Sequence, residues 1–110
     1  MLIYISTALI ALSSPVIFSH SCTPEEKPAL ILYYTDYCPY SHKVLGYLRR
    51  IHKTIPMKNV EKSAEDKKEL LTIGGRLQVP CLVIDGKAMY ESDDIIQWLS
   101  EHKDCLDSVK

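Results

Sequence analysis

The stretch ALILYYTDYCPYS, residues 29–41, places a cysteine directly after an apolar run and just before an amphipathic segment. Residues 29–34 have the short, apolar character of a buried strand. After the cysteine, apolar side chains recur at helical spacing, at Tyr40, Val44, Leu48 and Ile51. This periodicity predicts a helix from about residue 39, so Cys38 lies at or just before its first turn.

A cysteine at a helix start favours the reactive, anionic form of the thiol. The first backbone N–H groups of a helix have no partner within it, and the helix dipole is positive at that end. We therefore expect Cys38 to be populated as a nucleophilic thiolate near neutral pH. Pro39 fits this placement, because proline at the first helical position loses no hydrogen bond. The alternative is that Cys38 is a small buried hydrophobe, as most free cysteines are.

A proline stands near the start of a later apolar strand. Residues 78–84, QVPCLVI, are predicted to form this strand, and Asp85-Gly86 a tight hairpin turn to a partner strand around 88–90. Pro80 marks either the edge of the strand or a cis-proline.

The periodicities together predict four strands and three helices in the order β-α-β-α-β-β-α. The strands are expected at about 29–34, 55–60, 81–85 and 87–90, and the helices at 39–52, 64–73 and 92–103. Ser63 and Ser92 are predicted N-caps, and Gly74-Gly75 is a predicted helix stop. A right-handed crossover makes the first two strands parallel, and the hairpin adds an antiparallel strand. The result is an α/β fold with a four-stranded mixed sheet flanked by three helices.

At about residues 29 to 103 the chain resembles the glutaredoxins, which have a thioredoxin-like fold and use glutathione. The resemblance is carried by the order and spacing of four elements: Cys38-Pro39-Tyr40-Ser41, Val79-Pro80, Asp85-Gly86 and Ser92-Asp93-Asp94-Ile95. Val79-Pro80 followed by Tyr90-Glu91-Ser92 is also similar to the N-terminal domain of glutathione transferases. That family carries an all-helical second domain, for which we expect no room in this chain.

The resemblance implies a glutathione-dependent thiol–disulfide oxidoreductase, an enzyme of the glutaredoxin type. Ser41 stands where a dithiol enzyme has its second cysteine, so the motif cannot close an internal disulfide. A mixed disulfide on Cys38 must then be resolved by an external thiol, and the resemblance nominates glutathione as co-substrate. The expected partners are glutathione and glutathionylated proteins or small disulfides.

The same resemblance implies the glutathione-binding residues. Tyr40 lines the groove, and the main chain of Val79 ahead of Pro80 pairs with the cysteinyl backbone of glutathione like an added strand. Ser92 and Asp93 offer backbone N–H groups to the γ-glutamyl carboxylate, and the Asp93 side chain takes the ammonium. As cap and dipole partner, Ser92 and Asp93 would also have a purely structural use.

One departure from the family concerns charge near the thiol. Many glutaredoxins have a lysine three residues before the cysteine, whereas this chain has Thr35, followed by Asp36. The change removes a cation that would help both the thiolate and the glycine carboxylate. Arg76 is a candidate substitute, with a solvated surface arginine as the alternative. We therefore expect the Cys38 thiolate to be less favoured than in the family.

The other cysteines are not expected to form a disulfide framework. Cys22 falls in a polar linker and Cys105 after the last helix. Cys81 is either a second thiol within reach of Cys38 or a buried strand residue. The histidines show no zinc spacing with the cysteines, so no metal site is predicted. His42, one turn after Cys38, is the histidine that could influence the thiolate.

Two other functions remain open. In the first, two protomers and two glutathiones ligate a [2Fe-2S] cluster through Cys38. Pro39 and Tyr40 count against it, because they are bulkier than the Gly-Phe pair typical of the family's cluster carriers. In the second, the chain is a non-catalytic, transferase-like glutathione-binding module.

Composition and the N-terminal segment suggest the domain organisation. The chain has 110 residues, 46% of them hydrophobic, and a formal net charge of −1, which fits one compact, monomeric domain and gives no electrostatic case for nucleic acid. Residues 1–18 are almost continuously apolar and uncharged. We assign 1–21 to a signal peptide or membrane tether, 22–28 to a linker, 29–104 to the glutaredoxin-like domain and 105–110 to a tail. If residues 1–21 act in this way, the protein is expected to be exported or membrane-tethered. If they do not, it is expected to be cytoplasmic.

Overall fold

The computed structural model describes residues 22–109, and its elements include the predicted ones in the predicted order, together with two short strands that were not predicted. The strands and helices are β1 Leu30–Tyr34, α1 Pro39–Arg50, β2 Lys53–Thr54, β3 Met57–Asn59, α2 Ala64–Gly74, β4 Cys81–Ile84, β5 Lys87–Met89, α3 Ser92–Glu101 and β6 Asp107–Ser108. A short 3-10 turn, Lys103–Cys105, lies between α3 and β6. The fold is α/β and thioredoxin-like, with three helices on a mixed sheet, as predicted.

The main sheet has four strands in the order β3-β1-β4-β5. β1 runs parallel to β3 and antiparallel to β4, and β4 runs antiparallel to β5. In this register Leu32 stands opposite Leu82, and Leu82 stands opposite Met89. The predicted parallel pair and the predicted hairpin are both confirmed.

Alternation along the strands sends neighbouring side chains to opposite faces of the sheet. Leu30 and Leu32 of β1 join a core that includes buried residues of α1 and α3: Val44, Leu48, Ile95 and Leu99. Tyr33, the residue next to Leu32, joins a second core with Leu70 of α2. The sheet therefore separates α1 and α3 from α2.

The helix ends differ from the predictions in detail. Ser63 is the N-cap of α2, since its hydroxyl accepts a hydrogen bond from the Asp66 backbone N–H at 3.1 Å. Gly75 ends the same helix at φ +82°, a conformation in which a residue without a Cβ meets no steric penalty. The prediction for Ser92 was wrong: Glu91 is the N-cap of α3, and Ser92 is already helical and buried.

The region around Pro56 is also more broken than predicted. Instead of one strand over 55–60, the chain forms β2 and then β3 on either side of Ile55-Pro56. Proline has no N–H to donate to a neighbouring strand, so a continuous strand that included Pro56 would lack one of its ladder hydrogen bonds. The Pro56 carbonyl still accepts a hydrogen bond from the Leu32 N–H at 2.9 Å.

The prediction that the cysteines form no structural disulfide was wrong. Cys22 and Cys105 are disulfide-bonded, with their Cα atoms 5.0 Å apart. Beside this bond, β6 pairs with β2 and the Lys27 ammonium lies 2.6 Å from the Asp107 carboxylate. The disulfide thus joins the residues predicted as linker to those predicted as tail. Spacing along the sequence does not reveal a pair separated by 83 residues.

Within residues 22–109, none of the helices is both long enough and apolar enough to cross a bilayer. The predicted signal peptide or tether at 1–21 lies outside the described residues.

We predict that the Cys22–Cys105 disulfide stabilises the domain by restricting the unfolded chain. The double variant C22S/C105S should lower the free energy of unfolding by about 2–4 kcal/mol, because the bond closes a long loop. Urea denaturation followed by far-UV circular dichroism measures this. Cys38→Ser, at a free thiol, is the matched control and should leave the midpoint in place. An unchanged midpoint in C22S/C105S would show that the bond adds nothing to stability.

Candidate active site

Cys38 occupies the N-cap of α1, as predicted, with extended backbone angles and Pro39 as the first helical residue. Its side chain is half-buried, and its thiol donates a hydrogen bond to the Val79 carbonyl at 3.6 Å. The thiol is thus directed to the proline loop and makes no side-chain cap hydrogen bond to the first helical turn. A bound thiol compound could meet the sulfur beside this loop.

Ser41, which stands in the place of a second thiol, has a structural contact. It is fully buried, and its hydroxyl accepts a hydrogen bond from the Thr35 backbone N–H at 3.4 Å. Thr35 is itself buried at the end of β1. These two residues fix the loop that leads from the strand to Cys38.

The residues predicted to influence the thiolate are directed to the same loop. His42 donates through Nε2 to the Asp36 carbonyl at 2.6 Å, which stabilises the turn before Cys38. The Asp36 carboxylate accepts from the Asn59 amide at 3.1 Å and lies 3.9 Å from the Lys62 ammonium. The negative charge that Asp36 brings to this loop is therefore partly offset by the Asn59 amide at the end of β3 and by the Lys62 ammonium that follows it.

A cavity of about 340 Å³ lies beside the proline loop. Its lining includes the five main residues predicted to bind glutathione, Tyr40, Val79, Pro80, Ser92 and Asp93, but not the further candidate Arg76. The remaining lining residues are Lys43, Gln78, Tyr90 and Glu91. Cys38 reaches its edge through the contact with Val79, and the Val79-Pro80 bond is cis, which was one of the two alternatives. A volume of this size is in the usual range for a small-molecule site.

Lys43 was missed by sequence reasoning. Its ammonium lies 2.5 Å from the Asp93 carboxylate and so connects α1 to the start of α3 across the cavity. The signal was present in the sequence, because Lys43 follows Tyr40 by three residues and therefore shares its face of the helix.

Arg76 lies against the side of the cavity but does not line it. Its guanidinium carbon is 4.2 Å from the centre of the Tyr90 ring, and the Tyr90 hydroxyl donates to the Arg76 carbonyl at 3.0 Å. Desolvation raises the pKa of Tyr90, so this phenol remains a neutral donor. Gly74 makes the arrangement possible, since a Cβ there would come within 1.8 Å of the Tyr90 hydroxyl oxygen.

Cys81 is separated from this site. It is fully buried in the core on the α2 side of the sheet, whereas α1, which Cys38 caps, packs on the other side. Burial raises the pKa of the Cys81 thiol to about 11, so the thiolate is scarce at neutral pH. The placement agrees with the alternative of a buried strand residue.

Residues 22–109 contain no cluster of three or more histidine, cysteine or acidic side chains arranged to hold a metal ion.

The sequence profile of the glutathione S-transferase N-terminal domain matches residues 37–102. The chain belongs to this family. The matched range contains Cys38 and all residues that line the cavity, so the transferase-like domain and the candidate site coincide. No curated protein matches the chain significantly.

Solved structures with the same fold include both transferases and glutaredoxins. Glutathione S-transferase unclassified 2 from Bombyx mori is 24% identical with a TM-score of 0.58, over 67% of this chain and 35% of the transferase. Oxidised glutaredoxin 2 from Chlamydomonas reinhardtii is 29% identical with a TM-score of 0.51, over 67% of this chain and 73% of that one. A buckwheat glutaredoxin–glutathione complex is 19% identical with a TM-score of 0.53, over 69% and 72%. The chain thus spans about a third of the transferase and most of each glutaredoxin.

We predict that the absence of a side chain at Gly74 stabilises the domain, because it lets the Tyr90 ring occupy its place in the wall of the cavity. Gly74→Ala should cost about 1–3 kcal/mol, because the Tyr90 ring must leave its place. Gly46→Ala in α1 is the matched control, since the nearest atom to its Cβ is 3.8 Å away. It should be neutral or stabilising by about 0.5–1 kcal/mol, as expected for alanine in a helix. Equal unfolding free energies for the two variants in urea would contradict the argument.

Proposed function

We propose that the protein is a glutathione-dependent thiol–disulfide oxidoreductase that reduces glutathione mixed disulfides by a monothiol mechanism. The observation that carries the proposal is the contact between the Cys38 sulfur, at the start of α1, and the Val79 carbonyl, at the edge of the cavity. With Cys38 as the nucleophile, this contact supports attack beside the main chain that an extended peptide ligand would pair with. Membership of a glutathione-binding family supports the choice of ligand.

The proposed reaction has two steps. The Cys38 thiolate attacks the glutathione sulfur of a mixed disulfide, a new disulfide forms between Cys38 and glutathione, and the target thiolate leaves and takes up a proton. The thiolate of a second glutathione then attacks the bound glutathione sulfur, which releases oxidised glutathione and restores Cys38. The target sulfur leaves with the electron pair of the broken S–S bond, the second glutathione is oxidised in its place, and the two glutathione sulfurs end joined to each other.

The surroundings of the other candidate thiols support a monothiol mechanism. Ser41 has no sulfur, and its hydroxyl is buried against Thr35. Cys81 lies in the core across the sheet and remains protonated at neutral pH, because burial raises its pKa to about 11. Cys22 and Cys105 are bonded to each other. A free glutathione must therefore resolve the intermediate.

The proposed binding mode uses the cavity from end to end. The cysteinyl part of glutathione pairs with the main chain at Val79, whose carbonyl becomes available once Cys38 loses its proton and no longer donates to it. The γ-glutamyl carboxylate is directed to the N–H groups that begin α3, at Ser92 and Asp93. The Arg76 guanidinium, which lies over the Tyr90 ring, is the candidate partner for the glycine carboxylate.

The Cys22–Cys105 disulfide bears on where this reaction takes place. Stable disulfides form and persist in oxidising compartments, and they are rare where thiols are kept reduced. The bond therefore supports export of the protein, in keeping with the signal peptide or tether that we propose for residues 1–21.

We predict that turnover depends on Cys38 alone. The chain should reduce a glutathionylated peptide in the presence of glutathione, Cys38→Ser should fall to the uncatalysed rate, and Cys81→Ala should keep its activity. A fluorescent peptide thiol released from the mixed disulfide reports the rate.

The same preparations distinguish the other functions. Glutathione binding without turnover in the unaltered chain would show a non-catalytic module and overturn the enzyme. A coloured dimer, when the protein is purified without oxygen, would favour the [2Fe-2S] carrier with Cys38 as ligand. Loss of turnover in Cys81→Ala with its fold intact would contradict the monothiol mechanism.

A further inference from the structure

The described side chains that line the cavity carry more negative than positive charge, which is unfavourable for an anionic ligand. Among the described lining residues, Lys43 is the one cation, whereas Glu91 and Asp93 are anions. Asp94 adds a further carboxylate in the first turn of α3. Glutathione in a mixed disulfide carries two carboxylates and one ammonium, so it is itself a net anion. Without Lys43, the described side chains that line the cavity at the start of α3 would offer the ligand's carboxylate no cation, and their charged groups would all be carboxylates.

Lys43 is well placed to meet such a ligand. It lies on α1 one turn after Tyr40, and its ammonium is 2.5 Å from the Asp93 carboxylate, at the residue that offers a backbone N–H to the proposed ligand. The two side chains remain 51% and 79% exposed, so both are accessible from the cavity. An exposed ion pair of this kind contributes little to stability and rearranges easily when a ligand arrives.

We propose that Lys43 binds the α-carboxylate of the γ-glutamyl arm of glutathione while Asp93 binds the ammonium on the same carbon. The inference rests on the proposed function and names the residue that selects the γ-glutamyl group. The ligand's carboxylate then lies against the Lys43 ammonium, and its ammonium lies against the Asp93 carboxylate. Each charge of the ligand's γ-glutamyl group thereby gains a partner of opposite sign.

This arrangement also offsets the missing cation before Cys38. With Thr35 in place of a lysine, positive charge is lost at the thiol end of the cavity. Lys43 supplies positive charge at the opposite end, from a helix that also carries Cys38 at its start. Recognition should therefore depend on the γ-glutamyl arm more than on the glycine end.

The test compares two mixed disulfides of one fluorescent peptide in a single-turnover reaction with the reduced Cys38 of the full chain. One peptide carries glutathione and the other carries N-acetylcysteinylglycine, which lacks the γ-glutamyl charges but keeps the rest of the backbone. Each protein is assayed with both peptides, and the second-order rate constant for release of the peptide thiol is measured.

Lys43→Met should lower the rate constant for the glutathione peptide about tenfold, the size expected for one charged hydrogen bond, and leave that for the acetylated peptide within about twofold. Lys43→Arg should retain most of the rate because it retains the charge. Lys27→Met is the matched control, since it breaks an exposed lysine–aspartate pair of similar length, 2.6 Å, away from the cavity. It should change neither rate.

Three results would overturn the inference. An equal fall for both peptides in Lys43→Met would show that Lys43 supports the helix or the thiol rather than the γ-glutamyl arm. An unchanged rate in Lys43→Met, with an active parent chain, would remove Lys43 from recognition and leave the proposed function standing. No reaction of the parent chain with either peptide would reject the proposed function and the inference together.

Discussion

The structure depends on the position of β4 between β1 and β5, antiparallel to both. This pairing places Tyr33, near the end of β1, opposite Cys81 at the start of β4, and Leu82 opposite Met89 at the end of β5. The segments that continue from these strands must therefore emerge at one end of the sheet. They are the loop to Cys38, the Val79-Pro80 loop and the turn into α3. The cavity is the space between them, and its lining comes from parts of the chain that are far apart in sequence.

The same pairing separates the two free thiols. Side chains alternate along a strand, so Leu82 joins the core with α1 and α3 while its neighbour Cys81 joins the core with α2. Cys38 escapes this alternation because it follows the strand and caps a helix. One thiol is thus enclosed where its anion is unstable, and the other lies at an edge that a ligand can approach. A shift of one residue in the register of β4 would exchange the faces and remove the distinction.

Local signals allowed much of this to be predicted, and long-range pairing accounts for the rest. The helix starts at Cys38 and Ser63 depend on residues within one turn, and both were placed correctly. The Ser92 cap failed because Glu91 has the extended backbone of an N-cap, so that Ser92 is itself the first helical residue of α3. The Cys22–Cys105 bond and the Lys43–Asp93 pair join residues 83 and 50 positions apart. No local pattern specifies such partners, because they depend on how the finished sheet brings the segments together.

The distribution of contacts around Cys38 also indicates what kind of selectivity the proposed enzyme would have. On the side of the proline loop the thiol faces a cavity with main-chain groups, a helix start and fixed charges. Beside the thiol, Tyr37 is 85% exposed and does not line the cavity. A tyrosine in open solvent provides apolar contact area but few directional contacts, whereas the cavity offers several. Binding energy should then come mainly from the glutathione half of a mixed disulfide, which the first step retains on Cys38. The target half, which leaves, would be held weakly, so many different glutathionylated targets could react at the same site.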